Sequence, residues 1–484
     1  MKLPLDRLAV LCALAPLFAC ALGERGSTPV DEPSSDSAAA ATESEPAAHA
    51  REESPPAASQ DTWTQAELEA VTREIQAEIE ELRGEKFLRP VEVKVASRED
   101  FQAYAKRRLE MTESPEKLAG DETVAKLLGV VPADMDLLAT MMALLEDQVG
   151  GYYDPASDSF SLMQGFPRGV ARIILAHELD HALDDQLFGI DSRLDDFATN
   201  SDAGLAYSAV VEGSGTSIMN AWAQKHLSEV DLGGFEKMQK EAQDSMASAP
   251  AWMWKPLLAA YLQGAAFLAR TDSLMAGQMR SAESEDIRRV FQEPPLSTEQ
   301  VLHPDKYWDP ALRDDPVRIT FDTSELGENW KVLREDTLGE LALAIVCSPP
   351  EERGGLDLSN PAAMLTLRVT NPPAEGWEGD RAVLLGAVES DDGGAGAGRV
   401  LRLVTRWETE RDAGEFLGAL EVLLPSLERA ARALAGPEVK PQDSGALLEY
   451  GESPTEVLLT VRSNVDRVEL KKLLRRLAHA VAAS

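Results

Sequence analysis

The segment from Ile174 to Leu183 constrains the fold of this chain most, because it contains the pattern His-Glu-x-x-His. Residues four apart lie on one face of an α-helix, so a helix here points the rings of His177 and His181 at one place, with Glu178 beside them. Apolar residues recur at helical spacing around the pattern, at Val170, Ile173, Ile174, Leu183 and Leu187. The spacing therefore predicts a buried helix that presents two nitrogen ligands to a metal ion.

A third ligand is expected on a second helix. Catalytic zinc takes three protein ligands and keeps one position for water. Glu212 follows an apolar run and precedes small residues that allow helices to approach closely, so it is the best candidate. Its carboxylate would complete a His-His-Glu set for Zn²⁺, and Glu178 would take a proton from the attacking water. Asp184, Asp185 and Asp202 are the alternatives for the third ligand.

Other roles suit these three aspartates better. Asp184 and Asp185 lie so close to His181 on the same helix that we expect them to face solvent or to support a ligand through hydrogen bonds. Asp202 can cap the helix that carries Glu212, or accept the outer N–H of a ligand histidine.

Substrate contacts are less constrained by the sequence. His303 and Tyr261 are candidates for a neutral donor that stabilises the developing oxyanion, although a structural role is open for both.

The segment from Tyr152 to Leu162 has alternating flanks on either side of Asp-Pro and Ser-Asp-Ser turn residues, which predicts two short strands. An edge strand here could pair with an extended peptide substrate; an ordinary hairpin is the alternative.

Together these segments resemble a group of bacterial and haloarchaeal zincin-type metallopeptidase homologues of the gluzincin kind. In that group H-E-x-x-H-A-L-x-D-Q is followed by an A-L-V-E-G-like segment. The resemblance covers roughly residues 85 to 310 and implies a zinc peptidase fold. The matching segments are His177–Gln186, Ala209–Gly213, Gly151–Pro155 and Pro294–Pro304.

Two positions depart from that pattern. Asp180 stands where the residue is more often uncharged, and Ser214 stands where the family tends to carry an acid. Asp180 either raises the basicity of a zinc-bound water or faces solvent. Neither departure removes a proposed ligand or the base.

The amino terminus has the features of a bacterial lipoprotein signal peptide over residues 1–20. A short basic region precedes an apolar core, and Leu17–Cys20 resembles the lipobox, in which cleavage precedes a lipid-bearing cysteine, here Cys20. Residues 21–61 are rich in Ser, Ala, Pro and Glu, which predicts a disordered linker. We therefore expect a lipid-anchored protein of the cell envelope; secretion after cleavage at Ala21 or Gly23 is the alternative.

The net charge of the chain argues against a nucleic-acid partner, and its cysteine content predicts the state of each thiol. The formal net charge of −36 over 484 residues would repel phosphates, so no nucleic-acid partner is expected. Of three cysteines, Cys12 would leave with the signal peptide and Cys20 would be acylated. Cys347, in an apolar run, is then expected to be a buried free thiol.

The fold class expected is α+β. Residues 62–310 should form a mainly helical zincin-like domain with a small sheet, and residues 311–484 a smaller α+β domain. The predicted function is zinc-dependent hydrolysis of peptide bonds in a peptide or protein substrate. Two alternatives are a metal-containing lipoprotein that acts only as a binding or scaffold module, and an interaction protein in which the motif is inert.

Overall fold

The computed structural model describes residues 10–12, 63–112, 114–154, 157, 159–229, 231, 233–234, 247–355, 367–388 and 397–482. Cys20, the predicted linker 21–61 and most of the predicted signal peptide lie outside these residues. The described part combines helices with several sheets, so the predicted α+β class is confirmed. Among the described residues, no helix has both the length and the hydropathy of a membrane span.

Thr64 and Glu67 have the spacing of a capping box, which predicts a helix start there, and the first helix, α1 (Gln65–Arg83), begins at that point. The Thr64 hydroxyl accepts from the backbone N–H of Glu67, and the Glu67 carboxylate accepts from the backbone N–H of Thr64, which satisfies donors that a helix start leaves unpaired. The helix ends at Gly84, whose φ of 64° is left-handed. These two ends place Arg83 in the last turn.

Helices dominate the chain as far as residue 308. The His-Glu-x-x-His segment lies in α5, and Glu212 lies in α7. The helices after α1 are α2 (Arg98–Thr112), α3 (Pro115–Leu127), α4 (Leu137–Gln148), α5 (Arg168–Phe188), α6 (Ile190–Leu194), α7 (Ser201–Lys225), α8 (Ala251–Leu268), α9 (Leu274–Met279), α10 (Ser284–Gln292), α11 (Thr298–Leu302) and α12 (Asp305–Trp308).

A four-stranded sheet lies against the motif helix α5. Its strands are β1 (Val10–Cys12), β2 (Glu92–Ala96), β3 (Val149–Asp154) and β4 (Ser159–Met163), in the order β1-β3-β4-β2. The predicted hairpin is confirmed, since β3 and β4 pair antiparallel. A Cβ on Gly150 would lie 2.6 Å from Ile174 Cδ1, so glycine lets β3 rest directly on α5. The outer edge of β3 pairs with β1, which belongs to the predicted signal peptide.

The carboxyl-terminal part is built on a five-stranded antiparallel sheet, in the order β6 (Trp330–Asp336), β7 (Trp377–Ala387), β8 (Arg399–Trp407), β10 (Glu456–Ser463) and β9 (Gly445–Tyr450). The segments 382–385, 400–404 and 457–461 have the pattern of strands, and these strands are confirmed within β7, β8 and β10. Lys471, Lys472, Arg475 and Arg476 predict a basic helix at the end of the chain. This helix, α15 (Arg467–Arg476), is present, but the strand β11 (Ala478–Val481) follows it and pairs with β5 (Ile319–Asp322). The elements are β5 (Ile319–Asp322), β6 (Trp330–Asp336), α13 (Gly339–Cys347), β7 (Trp377–Ala387), β8 (Arg399–Trp407), α14 (Glu410–Ala435), β9 (Gly445–Tyr450), β10 (Glu456–Ser463), α15 (Arg467–Arg476) and β11 (Ala478–Val481).

The largest hydrophobic core crosses the expected boundary at residues 310 and 311. It joins Phe101 and Leu144 from the helical part to Trp377 and Leu401 from the second sheet, all of them buried. Cys347 belongs to the same core and forms no disulfide with any described residue, as expected, and burial raises the pKa of its thiol to about 12.

The start of α7 is held by residues from beyond that boundary. Asp336 accepts hydrogen bonds from the backbone N–H of Ser201 at 2.8 Å and from its hydroxyl at 2.5 Å. The helix itself is capped by Asn200, whose side chain accepts from the N–H of Ala203. The expectation that Asp202 caps this helix is therefore wrong. Its carboxylate accepts from the N–H of Thr298 at 2.9 Å instead.

Asp202 is buried close to two other acidic residues, Asp380 and Glu340, where the helical part meets the carboxyl-terminal part. Burial raises the pKa of Asp202 to about 8, hydrogen bonds from Thr298 oppose the rise, and Asp380 and Glu340 add to it. At pH values between 3.8, the pKa of this carboxyl in the unfolded chain, and about 8, Asp202 is protonated in the folded protein but ionised in the unfolded chain. Stability that depends on this proton is therefore present at low pH and is lost as the pH rises toward 8.

We predict that Asp202→Asn becomes more stable relative to the unaltered protein as the pH increases from 5 to 8. One proton can change the free energy of unfolding by up to about 1.4 kcal/mol per pH unit. Urea denaturation of both proteins across this range measures the difference, in which titrating groups that do not interact with Asp202 cancel. A difference that does not vary with pH would contradict the raised pKa.

Candidate metal centre

Three side chains from two helices converge in the interior. The Nε2 atoms of His177 and His181 lie 3.2 Å and 3.3 Å from Oε2 of Glu212. The two rings are nearly perpendicular, at 86°, with centroids 4.4 Å apart. The structure thus brings Glu212 to the paired histidines, as the sequence predicts. We call these three residues the ligand cluster.

The ligand cluster fits a zinc ion in both donor type and spacing. Zinc binds imidazole nitrogen and carboxylate oxygen at about 2.0 to 2.2 Å, so two ligand atoms of a tetrahedral site lie about 3.3 Å apart. The measured separations of 3.2 and 3.3 Å match that value. The outer Nδ1 atoms of His177 and His181 are buried and have no hydrogen-bond partner among the described residues. Only the Nε2 atoms face the shared carboxylate.

Close helix packing makes this convergence possible. A Cβ on Gly215 would lie 2.7 Å from Cε1 of His177 and 2.8 Å from Cε1 of His181. On the other side of α7, a Cβ on Gly213 would lie 2.4 Å from the backbone of Gly264 in α8. The small residues after Glu212 therefore let α7 fit between α5 and α8.

The three residues of the ligand cluster shift one another's pKa values through their charges. Burial disfavours the charged form of His181, but the charges of Glu212 and Glu178 outweigh it and raise the pKa to about 9. Burial likewise opposes ionisation of Glu212, but His181 and His177 outweigh it and lower the pKa to about 2. For His177, burial and the neighbouring His181 lower the pKa. In the absence of metal, a proton on His181 thus balances the Glu212 carboxylate.

The predicted base and one oxyanion candidate adjoin the ligand cluster. Glu178 is fully buried next to His177 in α5, and its charge acts on His181. The ring of Tyr261 stacks on that of His177, with centroids 5.7 Å apart and planes 26° apart. His303, the other candidate, is bound elsewhere, because its Nε2 lies 3.1 Å from both carboxylate oxygens of Glu340.

Asp202 does not support a ligand histidine. It precedes Glu212 by ten residues in α7, which is about 15 Å along the helix axis. Its carboxylate accepts from Thr298, and the outer nitrogens of both histidines have no partner among the described residues. This part of the expectation for Asp202 is also wrong.

A buried ionic group lies beside the ligand cluster. Arg83 forms ion pairs with Asp180 and with Asp184, the second at 2.6 Å. The Ser214 hydroxyl donates to Asp180 at 2.9 Å or to Asp184 at 2.7 Å. We call these four residues the Arg83 cluster; all of them are buried.

Two expectations are corrected by the Arg83 cluster. The alternative in which Asp180 faces solvent is wrong, and Asp184 is likewise buried, because Arg83 pairs with both. Asp185 is half-buried and accepts from the Tyr153 hydroxyl at 3.3 Å. Arg83 itself was missed from the sequence, since it lies 97 residues before Asp180 and belongs to no motif.

A second acidic group among the described residues has the spacing of a metal site but already holds a cation. It consists of Glu299, Asp314 and Glu408. The ammonium of Lys306 donates to all three, at 2.8 Å to Glu299 and 2.9 Å to Asp314. This lysine neutralises the group, so we assign no metal to it.

The carboxyl-terminal part of the chain, which does not hold the ligand cluster, is similar to a known protein family. A family profile described as "Domain of unknown function (DUF8575)" matches residues 330–468. The match spans β6 to β10 and the start of α15, and does not include the ligand cluster. No curated protein and no solved structure matches the chain.

We predict that Gly215→Ala abolishes tight zinc binding, because the added methyl group would contact both imidazoles at under 3 Å. Gly418→Ala is the control, since its Cβ would have no neighbour within 4 Å in helix α14. Bound zinc in the two purified proteins is measured by elemental analysis. A full complement of zinc in Gly215→Ala would contradict the packing described here.

We also predict that zinc binding tightens with pH up to about 9, because the metal must displace the proton on His181. Where one proton is displaced, affinity should rise about tenfold per pH unit. Calorimetric titration in buffers of different ionisation enthalpy counts the protons released. Zinc binding without proton release at pH 7 would refute a protonated His181.

Proposed function

We propose that this protein is a zinc-dependent peptidase of the α+β class, with a zincin-like fold as the finer assignment. The convergence of the ligand cluster beside Glu178 carries the proposal. The Nε2 atoms of the two imidazoles lie 3.2 and 3.3 Å from one carboxylate oxygen of Glu212. Three such ligands would leave a fourth position on zinc for water. Peptide hydrolysis is the chemistry that such a site with an adjacent glutamate supports.

The roles of the side chains follow from their placement. His177, His181 and Glu212 would hold zinc, which when bound would polarise the substrate carbonyl and lower the pKa of a water molecule. Glu178 accepts a proton from the attacking water and delivers it to the departing amine. Tyr261, against His177, is the better placed of the two oxyanion candidates.

An extended peptide is the substrate form that the sheet favours. Strand β3 lies on α5 one turn before His177, and its outer edge pairs with Val10–Cys12. Removal of the predicted signal peptide would expose the backbone groups of that edge. A substrate that pairs there would be bound through its backbone, with tolerance for different side chains.

A scaffold lipoprotein that keeps a metal without turnover is the second candidate. The observation in its favour is the complete burial of Glu178 and His177, with only 13% of the Glu212 side chain exposed. Under this alternative the protein binds zinc tightly and cleaves no peptide. In both cases the protein is proposed to be anchored by lipid on Cys20 in the cell envelope, with no nucleic-acid partner.

We predict that Glu178→Gln lowers the rate of peptide hydrolysis by about 10²- to 10⁴-fold, because the amide cannot accept the proton from water. Zinc content should stay unchanged, since Glu178 is not a ligand. Cleavage of a fluorogenic peptide library by the zinc-loaded proteins is the measurement, with Glu421→Gln, at an exposed position of α14, as control. Equal cleavage by all three proteins would exclude Glu178 as the base; zinc without cleavage in the unaltered protein would favour the scaffold.

A further inference from the structure

We propose that the Arg83 cluster positions the two metal-binding helices, with Ser214 as the link that sets the place of Glu212 relative to His177 and His181. The inference rests on zinc binding in the proposed function and not on peptide hydrolysis. None of the four residues belongs to the ligand cluster, so they act through their neighbours.

The first observation is the position of the cluster on α5. Asp180 and Asp184 each follow a ligand histidine by three residues, which places them about 60° around the helix from the two rings. Both carboxylates are held by one guanidinium at the end of α1. A planar guanidinium binds two acceptors in fixed directions, so it restricts rotation of α5 about its axis. That rotation would move both imidazoles.

The second observation is the link to α7. Ser214 follows Glu212 by two residues and precedes Gly215, which packs against both imidazoles. Its hydroxyl donates to one of the two carboxylates on α5 and accepts from Nη1 of Arg83 at 3.4 Å. The same hydrogen-bonded group thus contacts the motif helix and the helix of the third ligand, next to the point where their ligands meet.

The third observation is the burial of the charges. Arg83 is 2% exposed, and Asp180 and Asp184 are fully buried. Buried charges keep their ionised form only where each is paired with good geometry, so the arrangement has few alternatives. Partners outside the immediate ligands usually change metal affinity by about 10- to 100-fold when they are removed. The Arg83 cluster is expected to act in that range.

The test compares two serines on one helix. Ser214→Ala removes the link, whereas Ser217→Ala removes a buried hydroxyl three residues later, which accepts from the N–H of Ala282 and has no hydrogen bond to the described residues of α5. We expect the Co²⁺ and Zn²⁺ dissociation constants of Ser214→Ala to rise about 10- to 100-fold, with a changed Co²⁺ absorption spectrum. Ser217→Ala should bind both metals as the unaltered protein does. Equal affinity and spectra for Ser214→Ala would overturn the proposal.

A carboxylate exchange separates positioning from general stability. Nη1 of Arg83 reaches both position 180 and position 214, so a carboxylate at either place can pair with it. Asp180→Asn alone should weaken metal binding, and Asp180→Asn combined with Ser214→Asp should restore most of it. Circular dichroism checks that each variant is folded. A folded double variant that binds no better than Asp180→Asn would contradict the proposed link.

The outcomes for this inference and for the peptidase are distinct. An unaltered protein that binds zinc but cleaves no peptide removes the proposed activity, and the comparison of Ser214→Ala with Ser217→Ala still decides the inference. An unaltered protein that binds neither Co²⁺ nor Zn²⁺ overturns both.

Discussion

The distance between helices α5 and α7 is the constraint on which the candidate site depends. Glu212 reaches both imidazoles only because Gly215 has no side chain to separate the helices. On the opposite face, Gly213 and Gly264 bring α8 equally close, so α7 is confined on two sides. A methyl group at any of these three positions would meet another helix or a ligand ring. The geometry of the ligand cluster is therefore a result of backbone packing as much as of ligand identity.

The sequence predicted the parts of the site that follow from helical periodicity. His177, Glu178 and His181 share a helix, so their relation is local, and Glu212 could be found because an apolar run and small residues surround it. The capping box at Thr64 and the hairpin at β3 and β4 are local signals of the same kind. Contacts between distant segments were not accessible in this way. Arg83 meets Asp180 only through the packing of α1 on α5, and no pattern in the sequence relates the two positions.

The charge of Asp202 and its closeness in sequence to Glu212 led to a wrong prediction of its role. An aspartate in the first turn of a helix ordinarily suggests a cap or a partner for a nearby histidine. Here Asn200 already serves as the cap, and Asp202 lies ten positions before Glu212 in the helix. Its partners come from α11 and the turn before α13, which the sequence alone cannot bring to it. By contrast, Asp180 and Ser214, the two departures from the metallopeptidase pattern that the sequence resembles, are hydrogen-bonded to each other.

The hydrophobic core shared by the two halves has a consequence for how metal affects the whole molecule. Phe101, Leu144, Trp377 and Leu401 belong to one continuous core, so the helical part and the second sheet should unfold together. An ion bound only by the native state stabilises everything that unfolds with its site. Zinc bound by the native state would then also protect the remote sheet against proteolysis, and chelation would make the whole chain easier to degrade.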